Sequence, residues 1–283
     1  MLTRQMFSER KLLIVTKHEK EKVIAPILEK ALGLTCYVVQ NFDTDSLGTF
    51  TGEIDRKKSP VETALDKCKT ALEINEFDLA IASEGSFGAH PTAFFVSADE
   101  EIVALVDNKN DLQIVAKAIS TDTNFNASEI ISKKDLVDFA NNAGFPSHAL
   151  IIRKSKDDYS FEVKGINNWE KLFEVYEELS DINGIVYIET DMRAMYNPSR
   201  MKVIEEAVLK LVDKIQSVCE SCNTPGFEVV EVVKGLPCSW CTYPTNSILY
   251  SIYECKKCKY RKEEYYPANK KNEDPMYCDI CNP

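Results

Sequence analysis

The chain has 283 residues, with 45 acidic against 34 basic side chains and a formal net charge of −11. A hydrophobic fraction of 44% over this length builds a real core and excludes a disordered chain, and no apolar run approaches the roughly 18 residues of a membrane span. The acidic balance argues against general nucleic-acid or anionic-membrane binding, which needs a concentrated positive field.

Residues 1–11 carry Arg4, Glu9, Arg10 and Lys11, and the apolar block at 12–15 is too short for a signal-peptide core, so a cytoplasmic protein is expected. Residues 11–16 read as a strand and 21–32 as a helix stopped by Gly33, with Pro26 kinking it or marking a later start. Another strand at 34–40 leads into a long polar loop, 41–58. Ser59, Pro60 and Glu62 form a helix start, with Ser as N-cap, Pro at the first position and Glu closing a capping box. Residues 78–83 predict a buried strand and 84–91 a Gly-containing loop. Two strands follow within 92–107 around the turn Ser-Ala-Asp-Glu-Glu, and another at 112–120. A capped helix at 132–142, strands at 149–153 and 184–189, and a helix between them at 169–179 come next. Asn197 and Pro198 open a long amphipathic helix with Met201, Ile204, Val208, Leu211 and Ile215 on one face. Alternating strands and helices imply an α/β domain with a mixed sheet and flanking helices over residues 1–218.

Residues 219–283 differ in kind. Eight of the ten cysteines fall here as four Cys-x-x-Cys pairs: Cys219/Cys222, Cys238/Cys241, Cys255/Cys258 and Cys278/Cys281. Zn2+ favours four thiolates in a tetrahedron and each such turn delivers two, so the pattern predicts a small β-rich module with two structural zinc ions. This fits better than a redox dithiol or an iron–sulfur cluster. Which pairs share an ion follows from strand length. Residues 227–234 have no turn residue, and as a strand they span roughly 26 Å at about 3.3 Å per residue, too far for their two ends to meet on one ion. Residues 247–254 and 259–266 are equally uninterrupted. Interleaved sharing, first pair with third and second with fourth, is favoured over sequential sharing. The module carries eight basic and nine acidic residues, and each four-thiolate zinc centre adds a formal −2, which disfavours nucleic acid as its partner.

In the large domain the histidines stand beside strands or in loops. Singly, His18, His90 and His148 read as surface or hydrogen-bonded residues; together they draw attention to the strand ends, where the crevices of α/β sheets lie. Glu84 directly follows a strand. Glu53 lies in the long loop, and Asp191 and Arg193 follow the 184–189 strand. Carboxylates with histidine can hold Mg2+ or Mn2+ or act as a general base. The expectation is a pocket lined by Glu84, His90, Asp191 and Arg193, with His18 and Glu53 as outer members. The competing reading makes Asp191–Arg193 a structural ion pair. P-loop, Gly-x-Gly-x-x-Gly and Gly-x-Ser-x-Gly signatures are absent.

Four segments, TDSLGTFTGEIDR (44–56), ASEGSFGAHP (82–91), IETDMRAMYNPSRM (188–201) and the ending CDICNP (278–283), together resemble an uncharacterised bacterial family defined as a domain of unknown function with a cysteine-rich tail. The resemblance implies a two-part protein and carries over no catalytic residue. More faintly, residues 11–85 resemble house-cleaning nucleoside triphosphate pyrophosphatases, which would imply carboxylates and Mg2+ acting on nucleotides; His18 departs from the Asn of that pattern. Two functions stand side by side: a metal-assisted hydrolase of a small phosphorylated or nucleotide substrate, and a non-catalytic scaffold whose zinc module docks a protein partner.

Overall fold

The computed structural model describes residues 2–39 and 58–283. They form two compact units, Phe7–Leu211 and Val212–Pro283, the latter together with residues 2–6. Among the described residues no helix is long and apolar enough to cross a membrane.

After the short helix α1 (Leu2–Phe7), the larger unit begins with β1 (Lys11–Val15), α2 (Glu21–Leu32) and β2 (Thr35–Val38). Gly33 ends α2 in the left-handed conformation, at φ 72°, and Pro26 lies within the continuous helix. α3 (Pro60–Ile74) starts at the expected capping box: the Ser59 hydroxyl accepts from the Glu62 N–H, and the Glu62 carboxylate accepts from the Ser59 N–H. β3 (Leu79–Ala89), β4 (Ser97–Asp107) and β5 (Leu112–Ser120) complete a five-stranded sheet of order β2-β1-β3-β4-β5. β1 is parallel to β2 and β3, whereas β3, β4 and β5 form an antiparallel meander. α3 covers one face, packing Ala64, Cys68, Ala71 and Leu72 onto Leu13, Val15, Ala80, Ala82, Ile102 and Ala104.

Two expectations fail here. The predicted loop at 84–91 is strand as far as Ala89, and the predicted turn at 97–101 is the start of β4, one unbroken strand in register with β3 from Ser97↔Ala89 to Asp107↔Leu79. The turn lies at 90–96 instead. The charged run Asp-Glu-Glu looks like a solvated turn in sequence, but two of its side chains, Asp99 and Glu101, are buried.

A second, antiparallel sheet has the order β6-β9-β7-β8: β6 (Ala127–Ile130), β7 (Leu150–Ser155), β8 (Asp158–Ile166) and β9 (Val186–Thr190). Strands β6 and β8 were not expected. α4 (Lys133–Asn142), capped by Ser132 and Asp135, and α5 (Trp169–Asn183), capped by Asn168, share its hydrophobic core, in which Leu136, Phe139, Leu172 and Leu179 meet Leu150, Ile152, Val186 and Ile188. α6 (Pro198–Gln216) follows.

The division between units falls inside α6, ahead of residue 218, because the last turn of that helix is tied into the cysteine-rich unit. Lys214 O and Ser217 O accept from Gly226 N, Ser217 O also accepts from Phe227 N, and Lys214 pairs with Glu228 at 2.6 Å. That unit is a three-stranded antiparallel sheet, β10 (Glu228–Lys234), β11 (Ile248–Glu254) and β12 (Arg261–Tyr265), lying within the three uninterrupted runs of the sequence.

Candidate functional site

Strands β10 and β11 run between the two cysteine groups of the smaller unit. Cys219, Cys222, Cys255 and Cys258 form one group, and Cys238, Cys241, Cys278 and Cys281 the other. Within each, all four Sγ atoms lie within 4.8 Å of one another. Cross-pair Sγ–Sγ distances are 3.6 Å for Cys219–Cys258 and Cys222–Cys255, 3.8 Å for Cys238–Cys281 and 3.6 Å for Cys241–Cys278. A tetrahedral zinc with Zn–S near 2.3 Å sets its sulfurs about 3.8 Å apart, whereas a disulfide would bring them to about 2.0 Å. The groups fit a metal ion and are not disulfides.

Each knuckle is built locally by one repeated device. The N–H of the residue after the second cysteine donates to the carbonyl of the first: Asn223 to Cys219, Thr242 to Cys238, Lys259 to Cys255 and Asn282 to Cys278, at 2.8–3.0 Å. Asn223, Thr242 and Lys259 take left-handed φ values of 57–61° to do so, a conformation unfavourable for Thr and Lys that persists where surroundings fix it. The turn then aims backbone N–H groups at sulfur, Ser221 at Cys219, Trp240 at Cys238 and Cys258 at Cys255, at 3.4–3.5 Å. The thiols of a group share protons unequally without a metal: Thr224 holds Cys222 down to about 6 and backbone N–H groups of Cys241 and Trp240 hold Cys238 down to about 7, whereas burial and the neighbouring thiols push Cys258 up to about 11, and hydrogen bonding from Cys241 with burial pushes Cys281 up to about 12.

In the larger unit, β3 and β4 carry a dense set of buried charges. Because directly opposed residues of an antiparallel pair share a face, Asp99 and Glu101 lie on the face of their partners Phe87 and Gly85, together with Ser83, while Glu84 lies on the other. On the first face, Arg200 of α6 donates Nε to Glu101 at 2.6 Å, bonds the Met192 carbonyl through Nη1 and sits 5.0 Å from the Phe87 ring centre. Lys20, preceding α2, donates to Ser83 Oγ at 3.0 Å. On the second face Lys67 of α3 forms an ion pair with Glu84. All six charged groups are at least nine-tenths buried. Burial, with the charge of Glu101 behind it, pushes Asp99 up to about 7; burial, with the charge of Arg200, pulls Lys20 down to about 8. Asp99 Oδ1 and Glu101 Oε2 have no hydrogen-bond partner among the described residues.

The sequence candidates scatter relative to this set. Glu84 belongs to it, mid-strand and facing α3 rather than in a loop. His90 stands at the far end of the β3–β4 hairpin, where its Nδ1 accepts from the N–H groups of Thr92 and Ala93. Asp191 is fully buried beyond β9, accepting from the Gly165 N–H and gripping Arg193 through Nε and Nη2, the shortest contact 2.6 Å. Asp191 and Arg193 line a cavity of about 410 Å3 to which neither Glu84 nor His90 contributes. The expected four-residue pocket is therefore not assembled: the extension of β3 turns Glu84 into a sheet-face residue and carries His90 to the hairpin tip. His18 lies in the turn between β1 and α2 with φ 67°, next to Glu19 at 61°. Glu53 falls outside the described residues. His148 contacts the Ser199 hydroxyl at 3.0 Å through Nε2, which also accepts from the Ser199 N–H in the first turn of α6. Lys20, Lys67, Asp99, Glu101 and Arg200 escaped the sequence reading. The available signal was the alternation of Asp99 and Glu101 directly ahead of the apolar run 102–106, a pattern that continues a strand rather than turning it.

A family model described as a domain of unknown function, DUF6671, matches residues 67–283. The chain belongs to this family. The matched span contains all eight paired cysteines and Lys67, Glu84, Asp99, Glu101 and Arg200, while Lys20 lies before it. No curated protein matches. Among solved structures, protein VC0702 from Vibrio cholerae is similar at a TM-score of 0.33 and 7% identity, over 72% of this chain and 94% of that one, a level that carries no argument. The resemblance of residues 11–85 to nucleoside triphosphate pyrophosphatases is not shown by these matches.

Proposed function

We propose that the chain is a two-zinc protein whose α/β unit hydrolyses a small phosphorylated or nucleotide substrate. Four thiolates in closed tetrahedral groups are the donor set of structural zinc, with no open position for a reacting water. A reducing compartment, the cytoplasm, suits eight thiols kept for metal rather than disulfides.

Hydrolysis is supported by one observation, the buried charge set on β3 and β4. Its acid and its amine are displaced in opposite directions, Asp99 to about 7 and Lys20 to about 8, so each exchanges a proton near neutral pH. Ionised Asp99 is the general base for an attacking water, and Lys20 and Arg200 supply positive charge for a phosphate. Glu101 Oε2 would hold Mg2+ or Mn2+, which when bound polarises a phosphoryl oxygen, and leaves Asp99 as the base. The test is a panel of nucleoside triphosphates and phosphate monoesters offered to the full chain with either ion. Turnover of at least one is expected, falling by about 100-fold or more in Asp99→Asn, in line with the usual contribution of a general base. No turnover with either ion, or turnover untouched by the substitution, contradicts the reading.

A second reading, a protein-docking scaffold, is favoured by Trp240, which sits on a cysteine knuckle and is 78% exposed. It replaces the first if the zinc-loaded chain turns over nothing and a protein that co-purifies with it is lost in Trp240→Ala.

A further inference from the structure

The second sheet has two unlike faces. One packs on α4 and α5 through Leu150, Ile152, Val186 and Ile188. The opposite face, carrying Ile151, Arg153, Tyr187 and Glu189, forms the floor of the 410 Å3 cavity. That volume lies in the range of small-molecule sites, roughly 300–1,000 Å3. Four aromatic rings line it, Phe87, Phe125, Tyr159 and Tyr187, with Phe87 and Phe125 stacked at 5.8 Å between centres. Four cationic side chains, Arg153, Lys156, Lys164 and Arg193, face three carboxylates, Asp157, Glu189 and Asp191. Glu162 beside them pairs with both Arg153 and Lys164, at 3.3 and 2.8 Å, so the wall is close to charge-balanced, and an anion is drawn by the donor edges its cations leave open rather than by an excess of positive charge.

The two arginines are held ready. Arg153 is 5% exposed, bonded to Glu162 and Glu189, and lies between Tyr159 and Tyr187 at 4.5 and 5.0 Å; its Nε has no hydrogen-bond partner among the described residues. Arg193 lies on the Tyr196 ring at 4.7 Å, and Asp191 takes only its Nε and Nη2 edge. About a third of the Arg193 side chain stays open. A guanidinium fixed on one edge and stacked on a ring loses little freedom when an anion reaches its other edge.

We propose that this cavity binds a small planar aromatic molecule bearing an anionic group, with the ring among the cavity aromatics and the anion at Arg193 and Lys164. The site is distinct from the charge set on β3 and β4, whose Arg200 contacts the cavity residues Phe87 and Met192, and binding here does not require hydrolysis there.

Calorimetry on the full chain with four probes tests it: AMP and 4-hydroxybenzoate as ring with phosphate and ring with carboxylate, adenosine as ring alone, and inorganic phosphate as anion alone. At least one ring–anion probe is expected to bind about tenfold or more tighter than either half-probe, and which one binds identifies the anion. Phe125→Ala, at a partly exposed ring, and Lys164→Gln are each expected to weaken that binding about fivefold or more at unchanged melting temperature; Arg193→Gln adds a third check if it folds. The proposal is overturned if neither ring–anion probe binds below about 1 mM, if adenosine or phosphate alone binds as tightly, or if binding is unchanged in both Phe125→Ala and Lys164→Gln.

Discussion

Asp99 is where burial and charge act most strongly on a single group. A carboxyl whose folded pKa is raised, here from an ordinary 3.8 to about 7, favours folding while protonated. Its contribution is complete below about 3.8 and is lost as pH rises through about 7. Asp99→Asn keeps the shape and removes the titration. In zinc-loaded protein without added Mg2+ or Mn2+, the melting temperature of the variant, relative to the parent, should rise between pH 4 and pH 7 and level off above; a gap independent of pH contradicts the assignment. Mg2+ or Mn2+ at the neighbouring Glu101 should shrink the gap, because a nearby cation favours the ionised form of Asp99. Gly85 responds differently. A Cβ there would lie 2.6 Å from Arg200 Nη2 and nearer still to Glu101 Oε1, both locked in a buried pair. Gly85→Ala should cost about 1–3 kcal/mol in denaturant unfolding, the usual penalty of overpacking. Glu84 was legible in the sequence as a residue of interest and illegible in its role, because its partner Lys67 is a helix residue whose facing cannot be assigned until α3 is docked.

Among the elements, the hairpin β3–β4 separates what sequence pattern can and cannot give. The capping residues of α3 and α4 were readable because a cap is a local bond between residues three apart. The register of β4 was not, because Asp99 and Glu101 belong in a strand only through Arg200, 99 residues beyond Glu101. This long-range pair also sets an energetic expectation. Removing one partner of a buried ion pair typically costs about 3–5 kcal/mol, while replacing both with apolar groups costs less. Arg200→Met should therefore destabilise the chain more than Arg200→Met combined with Glu101→Leu, as read by denaturant midpoint; equal losses would mean the pair is not buried as described. In the cysteine-rich unit the sequence was more informative. Uninterrupted runs between knuckles cannot fold back within one ion's reach, and β10 and β11 indeed join one cysteine group to the other.

The whole chain combines two kinds of construction. Phe7–Leu211 encloses apolar clusters on both of its sheets, whereas Val212–Pro283 carries exposed strands, with Val229, Val230 and Val232 of β10 and every residue of β12 open to solvent. A sheet with so little cover needs its ends fixed by metal, since small units without an adequate core rely on such staples. Chelation should accordingly unfold the smaller unit and leave amide protection in the larger one, a contrast visible by hydrogen exchange. The most direct measurement is the zinc content of two double variants of the full chain, purified without chelator. The parent should carry two zinc ions. Cys219→Ser with Cys255→Ser strikes one group twice and should leave one ion, whereas Cys219→Ser with Cys238→Ser strikes both groups and should leave none. One ion retained in the second variant and none in the first would mean that neighbouring pairs share each metal, and would contradict the interleaved architecture.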